Sequence, residues 1–193
     1  MQRIENPENI LLRELPETVT VNRADFPVRT DFRTWIAFFT MHEDEKLSSE
    51  EKVRRSMSLY KDEVPADPAA AYRALQQFAA CDRMPRNAGT GGKTGAGKAP
   101  VFSYLYDSTY IFSDFRRYYG IDLHAAEMHW YTFIALFDGL PQDAETKQRI
   151  AYRCVNPSEV KNKERRMQII RIQDSIRIPH ENITAGEIAD LFW

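Results

Sequence analysis

Residues Pro100 to Pro141, PVFSYLYDSTYIFSDFRRYYGIDLHAAEMHWYTFIALFDGLP, carry most of the aromatic side chains, and two well-punctuated helical patterns run through them. In the first, Ile111, Phe115 and Tyr119 fall four residues apart and share a face, Phe112 and Tyr118 widen the stripe, and Asp107 stands where an N-cap is needed. Gly120 follows the last periodic residue, where a left-handed position needs no Cβ, and Asp122 is placed to cap the next helix. In the second, Trp130, Phe133, Ile134, Phe137 and Leu140 recur at helical spacing, with Gly139 and Pro141 as the stop. The spacing predicts an antiparallel helical hairpin with one apolar seam. Burying each large aromatic contributes on the order of 1.5 to 3 kcal/mol before conformational entropy is subtracted, so this pair is the expected nucleus of the core.

The segments before it read as smaller pieces packed onto that nucleus. Ile10, Leu11, Leu12 and Leu15 form an apolar patch that suits either a short helix or an arm. Val19 and Val21 alternate with polar residues, Asn22 to Asp25 supplies turn formers, and Phe26 and Val28 alternate again, which predicts a β-hairpin. Pro27 belongs on an edge or beside a turn, so the hairpin should cover a helical core. Asp31 caps a predicted helix with Phe32, Trp35, Ile36 and Phe39 on its apolar face, ended in solvent by His42 to Lys46. Ser48 with Glu51 is a capping box opening a short helix with Val53, Met57 and Tyr60 inward. Asp67 before Pro68 opens a third, with Tyr72, Leu75 and Phe78 buried.

Arg83 to Ala99 is a linker or loop, because RMPRNAGTGGKTGAGK has five glycines, four basic residues and too little apolar surface to order itself. It approaches a phosphate-binding loop in two registers and fails in both. Gly92 to Lys98 is followed by Ala99, which has no hydroxyl for magnesium, and the Gly92–Thr94 register has Asn87 where its first glycine belongs. Beyond Pro141, Gln142 to Cys154 reads as a helix with Ile150 and Tyr152 as apolar contacts. Asn156, Pro157 and Glu159 then signal a long helix with Val160, Met167 and Ile170 on one side and Lys161, Lys163, Arg165, Arg166 and Arg171 on the other. Such a stripe is either a solvated face, balanced by Glu159 and Glu164, or a surface for an acidic partner; Lys161, Arg165 and Arg166 are the interaction candidates. The tail, Thr184 to Trp193, has a capping pair in Thr184 and Glu187 and ends in IADLFW. Termini are usually polar, so Ile188, Leu191, Phe192 and Trp193 are to be buried either on the chain's own core or on another chain.

Together these patterns predict a mainly α protein, a compact helical bundle with a small N-terminal β-hairpin, in one domain spanning residues 1–193 with a loop at 83–99 and an amphipathic tail at 184–193. A net charge of −2 and basic residues without interleaved aromatics argue against nucleic-acid binding. No apolar run is long enough for a membrane span and the first residues lack a secretory pattern, so a cytoplasmic protein is expected. Cys81 and Cys154 fit no metal spacing and are expected to be reduced thiols. His124 and His129 sit about 140° apart on a helix, whereas zinc helices place ligands three or four residues apart, so no metal is expected. Capping accounts for Asp107 and Asp122 and solvent for Asp114, and no nucleophile-elbow motif is present. Neither a catalytic site nor a cofactor is expected.

Several stretches resemble one family, the bacteriophage gene-product-15 proteins of tailed phages and prophages of Gram-positive bacteria. They are FPVRTDFRTW at Phe26–Trp35, YDSTYIFSDFRRYYGIDL at Tyr106–Leu123, MHWYTFIALFDGL at Met128–Leu140, and Tyr152–Arg153 followed by the basic helix. The resemblance runs from about Leu15 to Ile176 and leaves out the LFW ending. It implies a non-enzymatic tail assembly protein, encoded beside the tape-measure protein where tail assembly chaperones are found. Its implied partners are the tape-measure protein and tail-tube subunits, in the cytoplasm of the bacterial host. The alternative is a structural component retained in the virion tail. Binding an amphipathic helix requires an apolar groove with polar rims.

Overall fold

The computed structural model describes residues 14–81 and 100–179. The patch at Ile10–Leu12, the loop at 83–99 and the tail at 184–193, with Ile188, Leu191, Phe192 and Trp193, lie outside the described residues. Seven α-helices, two 3₁₀ turns, one π-helical turn and one two-stranded antiparallel sheet make up the regular structure of the described residues, which fall into two compact units.

The first unit comprises the described residues up to Cys81 together with 127–136. Its hairpin pairs β1 (Thr18–Val21) with β2 (Ala24–Pro27), Val21 opposite Ala24 and Thr18 opposite Pro27. Asn22 and Arg23 both take positive φ, 50° and 70°, the geometry that matches a two-residue turn to strand twist. Val19 and Val21 are buried and their strand packs on the helix Pro68–Ala79, so the hairpin does cover a helix. Pro27 ends its strand, where no ladder hydrogen bond is required of its nitrogen, and its carbonyl accepts from the Lys61 amide at 3.0 Å.

The three helices that follow start where local side chains cap them. In α1 (Phe32–Glu43) the Asp31 carboxylate accepts from the Arg33 amide; α2 (Ser49–Ser56) opens with the full Ser48/Glu51 capping box; in α3 (Pro68–Ala79) Asp67 accepts from Ala69 and Ala70. The buried face of α1 is Phe32, Trp35 and Phe38, with Ile36 and Phe39 half-buried, because the stripe turns toward Phe78 and Trp130. The end of α2 tightens into a 3₁₀ turn at Met57–Leu59, which carries Tyr60 into a bridge with Val28; Val53 and Met57 stay half-buried. Leu75 and Phe78 are buried as expected, joined by Ala71, Ala74 and Ala79, while Tyr72 is half-buried. From α5 (Trp130–Asp138), residues through Leu136 belong here. Backbone bonds from Phe32 to Met128 (3.1 Å) and from Trp130 to Thr30 (2.7 Å) fix them to the start of α1. Trp35 and Trp130, both fully buried, stack 6.3 Å apart, and their indole N–H groups donate to the carbonyls of Arg29 and Ala79.

Two histidines of this unit are built in as neutral rings. His42 does not end α1 in solvent: Nδ1 donates to the Phe38 carbonyl, so Nε2 accepts from the Tyr72 hydroxyl, both at 2.7 Å. His129 accepts the Tyr131 amide on Nδ1 at 3.0 Å, so Nε2 donates to the Pro16 carbonyl, also at 3.0 Å. Burial lowers the pKa of both below the ordinary 6.5. The unfolded chain then binds more protons than the folded one as the pH falls through 6.5, so stability present above that value is lost below it. The melting temperature should fall between about pH 7.5 and about pH 5. His129→Asn, which keeps an acceptor for Tyr131 but does not titrate, should flatten the slope. A melting temperature flat over that range in the unaltered protein would refute the assignment.

The second unit comprises residues 100–126 and 137–179 of the described chain. Here α4 (Ser108–Asp114) continues into a π-helical turn, Phe115–Tyr119, and stops at Gly120, whose φ of +69° is the left-handed stop predicted for it. The Ile121 amide reaching back to the Phe115 carbonyl at 3.3 Å completes the cap. Asp122 opens only a turn, accepting from the His124 amide, so the expected second helix begins later, at Trp130. The predicted hairpin is not the centre of either unit: α4 packs on α6 (Glu145–Cys154), while most of α5 belongs to the first unit. α6 starts three residues later than expected because Pro141–Ala144 forms a turn, closed by the Ala144 amide on the Pro141 carbonyl. The last helix, α7 (Lys163–Ser175), also starts late. Asn156 and Pro157 open only a 3₁₀ turn, and Asn162, accepting from the Arg165 amide at 2.8 Å, is the true cap. Val160, expected on the inner face, thus precedes the helix, and within it Ile169 is buried, Ile170 half-buried, and Met167, expected inward, is exposed.

Candidate functional site

The buried carboxylates of the second unit are structural. Asp107, expected as a cap, makes no capping bond; its oxygens take a bidentate pair from Arg153 at 2.7 and 2.9 Å, and it also accepts the Ser103 amide. The same guanidinium donates to the carbonyls of Ile176 and Val101, so one side chain ties the ends of α4, α6 and α7 together. Asp114, expected in solvent, is buried and accepts the amides of Glu145 and Thr146 at 3.2 and 2.8 Å, capping α6 from another helix. The α6 N-cap residue, Ala144, has no side-chain acceptor of its own. No group of three or more histidine, cysteine or acidic residues that could hold a metal occurs among the described residues.

With α6 and α7 held this way, a groove of about 560 Å³ opens beside them. Tyr152 and Val155 line it from the end of α6 and the residue after it, and Ile169 and Ile172 from α7. Asn162, Glu164, Arg165 and Gln168 form its polar edge. Gln173 ties the two helices: its Nε2 donates to the carbonyls of Tyr152 and Val155, both at 2.8 Å, where α6 ends, and the Tyr152 carbonyl also accepts the Val155 amide at 3.2 Å. Arg165 is exposed on the rim, and Lys161 and Lys163, on either side of Asn162, are exposed too. Arg166 is turned the other way: Nε and Nη2 donate to the Val160 carbonyl at 3.0 and 2.8 Å, making it a latch on the turn before α7. Of the basic candidates, the structure thus brings Arg165 to the groove and leaves Arg166 in the framework. Tyr152, with 37% of its surface exposed, Gln168 and Ile172 were not recognisable as a set from sequence, since the loop between α6 and α7 separates Tyr152 from the other two.

A smaller hollow of about 250 Å³, between β1 and α3 in the first unit, is lined by Val19, Ala74, Phe78 and Tyr131 among others, and no acidic or basic side chain lines it.

The family model described as Bacteriophage Gp15 protein matches residues 11–178. The chain belongs to the bacteriophage Gp15 family. Comparison with curated proteins gave no match, and neither did comparison with solved structures. The match extends across both units of this Gp15-family protein and ends at Ile178, before the tail. No helix among its described residues is long and apolar enough to cross a membrane.

Proposed function

We propose that this Gp15-family protein is a non-enzymatic tail assembly chaperone that acts in the cytoplasm of the bacterial host by binding the tape-measure protein. The observation that carries this reading is the α6–α7 groove, whose apolar floor of Tyr152, Val155, Ile169 and Ile172 and polar edge suit one face of an amphipathic helix. Membership of a phage family supports the setting. Tail-tube subunits are the next partners on this reading.

Co-expression with the tape-measure protein encoded beside it should raise that protein's solubility and give a complex that co-purifies. Replacing the groove residues Tyr152 and Ile172 by serine should weaken the complex by on the order of 2 kcal/mol, roughly thirtyfold, as expected for apolar anchors in a docking site. A chaperone leaves before the tail is finished, so mass spectrometry of purified particles should not find this chain. Its presence there in stoichiometric amount would favour a structural component of the tail, and no association with the tape-measure protein at any salt concentration would remove the reading.

A further inference from the structure

The two edges of the N-terminal hairpin are built differently. On the outer side of β2, the Lys61 amide donates to the Pro27 carbonyl at 3.0 Å and Val28 bridges Tyr60. Pro27 has no N–H to offer and Asp25 carries a charge, two devices that blunt an edge. β1 has neither: its four residues, Thr18 to Val21, are uncharged and all β-branched.

The register of the ladder decides where the backbone groups of β1 point. The Val28 amide donates to the Glu17 carbonyl at 2.9 Å, so these two residues are a hydrogen-bonded pair; by the alternation of an antiparallel ladder, Val19–Phe26 and Val21–Ala24 are such pairs too. Thr18 and Thr20 therefore aim N–H and C=O away from β2, as two donor–acceptor sets about 7 Å apart along the strand. No group among the described residues bonds to them. Beside them lies the hollow of about 250 Å³, lined by Thr18, Val19 and Thr20 from the strand, by Ala74 and Phe78 from α3, and by Tyr131.

We infer that the open edge of β1 is a docking site for an extended segment of another protein, which adds as a third, antiparallel strand along Thr18–Thr20. Backbone donors and acceptors at this spacing are matched by another extended chain and not by a helix, whose own backbone groups are bonded internally. The residues opposite Thr18 and Thr20 exchange both hydrogen bonds with them, and the residue between, opposite Val19, turns its side chain to the face of Val19 and into the hollow. No acidic or basic side chain lines that hollow, so the residue entering it is apolar. A second copy of the chain does not fit. Pairing two β1 strands edge to edge puts both α3 helices under one face of a shared sheet, and α3 packs on β1 itself. Strands about 4.8 Å apart would then force together helices whose axes need about 8–10 Å. The inference does not depend on the α6–α7 groove or on its occupant.

The test uses the full-length protein labelled with ¹⁵N and a synthetic peptide, KVTITVK, whose central isoleucine is flanked by the two threonines that would pair with the edge. At saturating peptide, hydrogen exchange of the Thr18 and Thr20 amides should slow roughly tenfold or more, while the Val19 and Val21 amides, already in the ladder, should change little. Methylating the two threonine nitrogens of the peptide removes its donors to the edge and should weaken binding roughly tenfold or more, as should aspartate in place of its isoleucine. In the protein, Thr20→Pro removes one outward N–H and leaves the ladder bonds in place, so it should weaken binding severalfold with the circular dichroism unchanged. If that variant does not fold, the exchange measurement and the methylated peptide, both read on the unaltered protein, carry the test. Equal binding of the methylated and plain peptides, or no slowing at millimolar peptide, overturns the inference. Protection of both amides without peptide overturns it as well, because the chain itself or a second copy would then cover the edge.

Discussion

Arg153→Ala is expected to destabilise the second unit by about 3–5 kcal/mol, a large part of the total stability of a protein of this size. The reason is what the substitution leaves behind. Asp107 is fully buried, and without the guanidinium its carboxylate keeps only the Ser103 amide as partner among the described residues, while the carbonyls of Ile176 and Val101 lose this donor. Arg153→Lys keeps the charge but cannot reproduce two parallel bonds to Asp107 together with two to carbonyls, so it should fall between Ala and the unaltered protein. Replacing both partners with apolar residues, Arg153→Met with Asp107→Leu, removes the stranded charge and should cost less than the two single changes added together. Urea denaturation followed by circular dichroism measures the unaltered protein, the four single variants and the double variant. A loss under about 1 kcal/mol for Arg153→Ala would mean that water reaches the carboxylate and the pair is not the clamp inferred for it.

Trp130→Ala should cost a similar amount in the first unit, about 3–5 kcal/mol, for a different reason. The indole is fully buried among Trp35, Phe39 and Phe133, with ring centroids at 6.3, 5.7 and 5.7 Å, so truncation opens a cavity that close-packed aromatic neighbours cannot collapse into. Trp130→Phe separates packing from hydrogen bonding. It keeps much of the ring but strips the Ala79 carbonyl, at the end of α3, of the donor it has at 2.9 Å, and should cost about 1–3 kcal/mol. If Phe proved as damaging as Ala, the hydrogen bond and not the cavity would dominate, and the account of this core would have to be reversed.

The candidate groove divides between what could be read along the chain and what could not. Arg165 stood out in sequence because it sits in a mainly basic stretch, Lys161 to Arg166, and the aromatic Tyr152 because it precedes Arg153 in a stretch that resembles the family. Their meeting around one hollow depends on where α7 starts. The expected face was drawn through Val160, Met167 and Ile170, but Val160 lies before the helix, and within α7 the buried residue is Ile169 while Met167 is exposed. Both asparagines are good caps by local chemistry, so the choice between them lay with packing.

Determined within a few residues of chain were the helix starts at Asp31, Ser48 and Asp67, the β-hairpin around Asn22, and the left-handed stop at Gly120. Each is the outcome of a contest between neighbouring backbone groups and one side chain, and nothing distant changes who wins. The roles of Asp107 and Asp114 were settled only in three dimensions. By local rules one was a cap and the other a solvent residue, but Arg153 lies 46 residues beyond the first, and the uncapped amides of α6 lie 31 and 32 residues beyond the second. A carboxylate taken out of water goes to the partner that best replaces its hydration, and only the folded chain brings that partner within reach.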